Sequence, residues 1–299
     1  MNKTYKTILI LVTLLLLFTY LLNANYIINN ILDYSLLFIT KIFPVSFLFF
    51  ILSSMLLDLG IINYIEKLLH IKASNLYLFI VSMISGFPSG SKYTRELLED
   101  NIINLNLANK YIMFSHFPNP LFILGSVNTI LNDSYLSMSI LLSIIVSNLI
   151  IMLLVSNKGI ISNKYNSNLD FSGILVKSIN NSFNTIIIVY GISLFFYLIS
   201  CIITKYIYLD GYKYILLCGF FDLTKGVFST VIISNKIIKS FIILSFISFG
   251  GLSIHMQVNS ILSGSNIKYL SFLKGRIIGT IISYILLFIF LLIKKDLYF

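Results

Sequence analysis

Ser85-Gly86-Phe87-Pro88-Ser89-Gly90-Ser91-Lys92 closes a short apolar run, Leu76–Phe87. Crossing a bilayer as helix takes about 20 residues, and this run falls well short. Gly and Pro then break it, and a helix broken at membrane depth must have its freed N–H and C=O groups met by protein or by a water-filled cavity. The same order recurs later. Tyr214–Phe221 is a second short apolar run, ended by Asp222-Leu223-Thr224-Lys225-Gly226. Gly86 and Gly219, Phe87 and Phe220, Lys92 and Lys225, and Ser115 and Ser248 stand at one constant spacing of 133 residues. Each half then continues alike, with a polar connector, a broken helix and a full span. The broken helices are Tyr111–Leu131, interrupted at Pro118-Asn119-Pro120, and Phe241–Ile261, interrupted at Gly250-Gly251; the spans after them are Tyr135–Val155 and Ile277–Ile293. Paired, interrupted segments of this kind are the sequence mark of a transporter-like site at a repeat interface. If each short run returns to the side it left, three full crossings separate the halves, and the repeats are inverted.

Composition agrees with a membrane chain. Of 299 residues, 58% are hydrophobic and 11% charged, with a mean hydropathy of +0.94. A soluble domain carries about a quarter charged residues, so a soluble enzyme, a disordered tail and a disulfide-stapled secreted domain are excluded. The net charge of +10 comes from basic residues standing singly or in pairs between apolar blocks. That is the pattern of loops beside a membrane, and without a basic run interleaved with aromatics it excludes nucleic acid as a partner. With the N-terminus inside, more Lys and Arg fall inside than outside, Lys41 and Lys225 being among the outer ones. Cys201 and Cys218 lie in or beside apolar blocks without metal-ligand spacing and read as buried small hydrophobes. No metal and no cofactor is expected.

The expected architecture is an all-α polytopic membrane protein with two inverted repeats and broken or re-entrant helices. Residues 1–25 hold an N-terminal transmembrane helix, with Thr7–Leu22 as its apolar core and no small-x-small cleavage site. Residues 26–156 form the first membrane repeat and 157–299 the second. Within the first repeat, the part-polar Tyr26–Lys41 leads to a span at Phe43–Leu59. Ile61–Lys72 reads as an interfacial helix, and Tyr93–Lys110 as a short helix-turn-helix turning near Asn101. Ser156–Asn168 is a polar linker, and Thr185–Ile203 is the first span of the second repeat.

Substrate-binding candidates are Ser89, Ser91 and Asn119 from the first half and Asp222, Thr224, His255 and Gln257 from the second. Polar side chains and unpaired helix ends cannot face lipid tails, so they converge on each other or on a solute. Two readings stay open for Asp222, and both can hold: a functional acid inside the membrane, and the N-cap of a helix starting near Leu223. His255 is a ligand contact or proton-linked group, or else a buried histidine bonded to backbone. His116 has the same two readings. Gly86, Pro88, Gly90, Pro118, Pro120, Gly219, Gly250 and Gly251 are structural breakers, whose glycines expose backbone or let helices pack closely. Lys92 and Arg95 read as headgroup-level anchors in preference to anion ligands, and Glu66, Glu96, Glu99 and Asp100 as solvated faces. A Ser–Lys hydrolase built on Ser89, Ser91 and Lys92, or a triad with His255 and Asp222, lacks any nucleophile-elbow or HExxH pattern. The chain is read as a non-enzyme.

Four stretches carry a resemblance: Ser85–Lys92, Pro120-Leu121-Phe122-Ile123-Leu124-Gly125, Gly219–Gly226, and Phe249-Gly250-Gly251-Leu252-Ser253-Ile254-His255-Met256-Gln257. Over residues 35–290 the chain resembles the sporulation integral membrane proteins of the YlbJ type. These carry the Gate-type (nucleoside-recognition) domain that is also found in nucleoside transporters and ferrous-iron permeases. It departs from them at His116, Asn119, Asp222 and Phe249, where the family typically has Asn, Gly, Glu and Trp. The resemblance implies a multi-pass protein in the cell membrane of a spore-forming bacterium, needed for spore formation, with a transporter-like or permease-like role toward a small polar solute. A non-transporting scaffold of the spore-envelope assembly is the other function considered. The expected partners are the lipid bilayer, the solute, and a second copy of the chain or other sporulation membrane proteins.

Overall fold

A computed structural model describes residues 3–61, 64, 67–68, 74–155 and 170–296, and among them every regular element is helical. Helix α1 is Lys3–Leu22, and α2 (Ala24–Leu37) passes through a π-helical elbow, Phe38–Ile42, into α3 (Phe43–Asp58). Then come α4 (Ser74–Ser85), α5 (Ser89–Glu99), α6 (Leu105–Tyr111), a second π-helical segment (Phe122–Val127), α7 (Asn128–Leu131) and α8 (Ser134–Val155). The second half holds α9 (Phe171–Tyr206), α10 (Gly211–Phe221), α11 (Leu223–Ser229), α12 (Lys236–Phe249), α13 (Leu252–Leu262) and α14 (Tyr269–Asp296). Among the described residues five helical stretches are long and apolar enough to cross a membrane, and six if the pair α2–α3, bent by 47°, is one span. The chain is an all-α, multi-pass membrane protein. The expected interfacial helix at 61–72 and the linker at 156–168 lie almost wholly outside the described residues.

Corresponding long helices of the two halves pack side by side and run antiparallel. Along α8 and α14, Tyr135 donates to the carbonyl of Phe290, Ser147 meets Ser283, and Asn148 meets Arg276. Along α2–α3 and α9, Asn23 meets Tyr206 at one end, and Asp58 pairs with Lys177 at 2.7 Å at the other. Repeats of opposite orientation require this pairing. Two apolar clusters result. The larger unites α4–α8 with α11–α14, and a smaller one, built on Tyr34, Phe38, Phe50, Ile186 and Val189, seals α2–α3 against α9.

Three readings change. The span expected at Thr185–Ile203 is longer, because helix continues back to Phe171 and its polar residues turn toward protein rather than ending it. Lys41, placed in an outer loop by the charge count, sits in the elbow halfway along α2–α3. Arg276, placed before the last span, is inside α14 and fully buried.

Arg276 is where the broken helices meet. Its guanidinium donates to the carbonyls of Met113 (2.9 Å), His116 (3.3 Å) and Ser248 (3.3 Å) and to Asn148 Oδ1 (3.0 Å). The first three are chain that has left helix, or is about to, beside the two breaks. Asn148 completes the set by donating to the carbonyl of His116 at 3.0 Å. Helix C-termini carry partial negative charge, so aligned carbonyls stabilise the buried cation where a carboxylate would otherwise be needed. The breaks also demand close approach. A Cβ on Gly90 would lie 1.5 Å from the carbonyl oxygen of Ser115, and one on Gly226 would lie 2.2 Å from Gly219 Cα.

Two outcomes follow for the full chain purified in detergent. Gly90→Ala forces α5 off the chain at Ser115 and should cost about 1–3 kcal/mol or more, read as a lower thermal midpoint. Gly191→Ala, where nothing lies within 4 Å, should leave the midpoint unchanged or raise it. Arg276→Leu takes a donor from three carbonyls and an amide, of which the carbonyl of His116 keeps Asn148, and should cost at least about 3 kcal/mol, since each buried acceptor left unpaired carries its own penalty. An Arg276→Leu protein with a wild-type midpoint would contradict this account of the core.

Candidate functional site

At the seam between the two apolar clusters lies a cavity of about 470 Å³. Its walls come from the elbow (Phe38, Thr40, Lys41, Ile42), from the first break and the π-helical segment after it (Phe87, Asn119, Ser126), and from the second half (Ser193, Thr224, Ile254, Gln257). The volume is that of an ordinary small-molecule site, and the wall mixes apolar surface with a few placed polar groups, as such sites do.

Asn119, Thr224 and Gln257 are the three expected binding residues that share this cavity. Asn119 is fixed by its own chain: Oδ1 accepts from the Leu121 N–H at 2.9 Å, so Nδ2 is the end left over, and it has no partner. Gln257 is fully buried, and its Nε2 donates to Ser193 Oγ at 2.8 Å while Oε1 has no partner. Whichever way that amide is turned, one polar atom is spare. One amide from each half, Gln257 buried and Asn119 half-buried, therefore lines the cavity and has one buried polar atom unpaired, where an unmade hydrogen bond costs about 1–3 kcal/mol.

The other four candidates are placed elsewhere. Ser91 donates its hydroxyl to the carbonyl of Pro88 at 2.6 Å, and Ser89 is buried with no partner for Oγ. Neither lines the cavity. Asp222 caps α11, its Oδ1 accepting from the Lys225 N–H at 3.0 Å, and is itself buried. His255 Nε2 donates to the carbonyl of Phe249 at 3.1 Å, so Nδ1 accepts from the Tyr269 hydroxyl at 2.7 Å. That is the backbone-bonded histidine. His116 is buried as well, its ring centroid 4.2 Å from that of Phe87 and 4.8 Å from that of Phe272.

Charged residues near the breaks also differ from expectation. Arg95 pairs with Glu99 at 2.6 Å and donates to the carbonyls of Ile261 (2.8 Å) and Ser263 (3.1 Å), at the C-terminal end of α13. The second half returns the contact, with Lys239 on the carbonyl of Ile130 and Lys236 on that of Asn132, at the end of α7. Each half thus supplies the basic side chain that satisfies the last carbonyls of a helix in the other half. Lys92 is buried, and with Glu96, Glu99 and Asp100 it lines a second cavity. Sequence reasoning missed Ser193, Lys41 and Arg276. Only Arg276 left a signal, as an arginine adjoining a long apolar run.

No family model matches the chain, and no solved structure matches it. One curated relative is similar, the "Sporulation integral membrane protein YlbJ" of Bacillus subtilis (strain 168), 33% identical over 94 residues. The match covers 29% of this chain and 23% of that protein, so the chain spans under a quarter of the length of the relative it matches.

Proposed function

We propose that this protein is a transporter-like or permease-like protein that passes a small polar solute across a membrane of a spore-forming bacterium during spore formation. One observation carries the reading. Asn119 and Gln257, from opposite halves, each leave a buried amide atom unpaired on one cavity. A solute's hydrogen-bonding groups would pair both. The relative named as a sporulation membrane protein supports the setting, and the recurrence of broken helices in both halves supports the Gate-type likeness. Discontinuous helices that meet at a repeat interface are where transporters hold their solutes.

Substitution separates solute contacts from structural ones. Asn119→Leu and Gln257→Leu each remove a solute partner, worth about tenfold in affinity for one hydrogen bond. Both should lower heat-resistant spore counts in the source organism at normal protein level. Normal counts in both variants would replace transport with a non-transporting scaffold.

Asp222 should behave differently. Asp222→Asn keeps the cap and should leave protein level and spore counts unchanged, whereas Asp222→Ala loses about 1 kcal/mol of helix capping and should lower protein level. A spore defect in Asp222→Asn at normal protein level would instead make its charge functional.

A further inference from the structure

The charge on the wall of the 470 Å³ cavity is one-sided. Of the described residues that line it, Lys41 alone is charged, and no acidic side chain shares the wall. The acid beside the wall residues Leu223 and Thr224 is Asp222, whose carboxylate holds the Lys225 N–H at 3.0 Å. Among the described residues no ion pair includes Lys41.

Its depth matters as much as its sign. Lys41 stands 17 residues from Ala24 and 17 from Asp58, in the π-helical elbow of the α2–α3 pair. That is about 25 Å of helix to either end. A lysine near a helix end leaves the hydrocarbon by reaching to the headgroups. Here half the hydrocarbon thickness, about 15 Å, is beyond the reach of a four-carbon stem. A charge at such depth faces a water-filled cavity or a partner of opposite sign. Widened π turns inside α-helices recur at functional sites, and this one carries Thr40 and Lys41 on the cavity wall.

The unpaired amides have a matching preference. Asn119 Oδ1 is taken by the Leu121 N–H, so the atom it offers is a donor, Nδ2. Gln257 shows Oε1 in this arrangement, but its amide and the Ser193 hydroxyl can exchange roles: Ser193 then donates to Oε1, and Nε2 turns to the cavity. A cation and two amide donors match oxygen atoms that carry negative charge. Phe38, Phe122 and Ile254 give the rest of the wall an apolar surface.

We infer that the solute is a small organic anion with a single negative charge, such as a monocarboxylate, its charged end at Lys41 and its body on the apolar wall. The inference rests on the transport reading and gives its solute a chemical class. One lysine balances one charge. A dianion would carry a second, unpartnered charge to the middle of the membrane, where charge is expensive, and a cationic solute would meet Lys41 with like charge.

The test reads the charge preference of the cavity without needing the solute. In the full chain in detergent, the two native cysteines are replaced (Cys201→Ser, Cys218→Ser) and Ser126→Cys on the wall is the reporter. It is reacted with two methanethiosulfonates, the ethylsulfonate anion and the ethyltrimethylammonium cation. Each rate is divided by that reagent's rate with free mercaptoethanol. Any effect of Lys41 on the thiol's own ionisation falls on both reagents and cancels in their ratio. The anion should be favoured about tenfold. Lys41→Met and Lys41→Gln should bring the ratio to within about twofold of one, and Lys41→Arg should keep the preference. Thr129→Cys, also on the wall, carries the same expectations. Equal rates or a faster cation at both positions would overturn the anion, as would a preference that survives both neutral substitutions. The two readings fail separately: normal spore counts in Asn119→Leu and Gln257→Leu overturn the solute site, while a neutral or cation-favouring cavity overturns the anion alone. Thiols inert to both reagents at both positions would overturn the two together.

Discussion

A helix that stops inside a membrane leaves carbonyls that water cannot reach, and in this chain one guanidinium answers for three of them beside the breaks. Arg276 collects carbonyls from the ends of α6 and α12 and from the extended chain at His116, so both breaks depend on one side chain of α14. A lysine would not serve. Its ammonium is a compact, strongly hydrated charge, whereas the planar guanidinium spreads five donors over a fixed fork. Around this centre the two halves are interlocked rather than merely adjacent, because the cations that finish α7 and α13 each come from the other half.

That interdependence bears on where a solute can sit. The larger apolar cluster contains the breaks and is tied through Arg276, while α2–α3 and α9 share a second cluster, α3 also reaching the larger one through Leu57. The cavity lies on the boundary between them, so it is bounded on one side by the broken helices and on the other by a bent helix. Asn119 and Gln257 belong to the side of the breaks.

Much of this was readable in the residues. Gly and Pro mark the breaks, and the constant spacing of Gly86/Gly219 and Lys92/Lys225 fixes which elements correspond. Asp222 three residues before Lys225 is a capping arrangement visible by eye. What spacing could not give is which atom meets which across the fold. Arg95 reaches Ile261 and Lys236 reaches Asn132 over more than a hundred residues, and no local pattern encodes those meetings. The same holds for His255 and Gln257. They stand two residues apart on α13 and so face different ways, one to Tyr269 and the other to Ser193 and the cavity. Polar residues in α9 were read as the edge of a span for a related reason: hydropathy records what a side chain is, not whether lipid or protein lies beside it.

The length of α9 has a consequence for the surrounding lipid. Its 36 residues run about 54 Å at the rise of an α-helix, against a hydrocarbon core of about 30 Å. The excess is not shared equally between its ends, since Lys177, Asn181 and Asn184 all fall in the N-terminal part. Such a helix meets a bilayer through hydrophobic mismatch: it tilts, stands proud on one face, or draws the lipid to a new thickness. The polar end sets that balance. A thicker bilayer would pull Asn184 and the second cavity that it lines toward acyl chains, and a thinner one would leave them in water. Bilayer thickness therefore acts on this protein as a mechanical load, applied at one end of the α3/α9 pair.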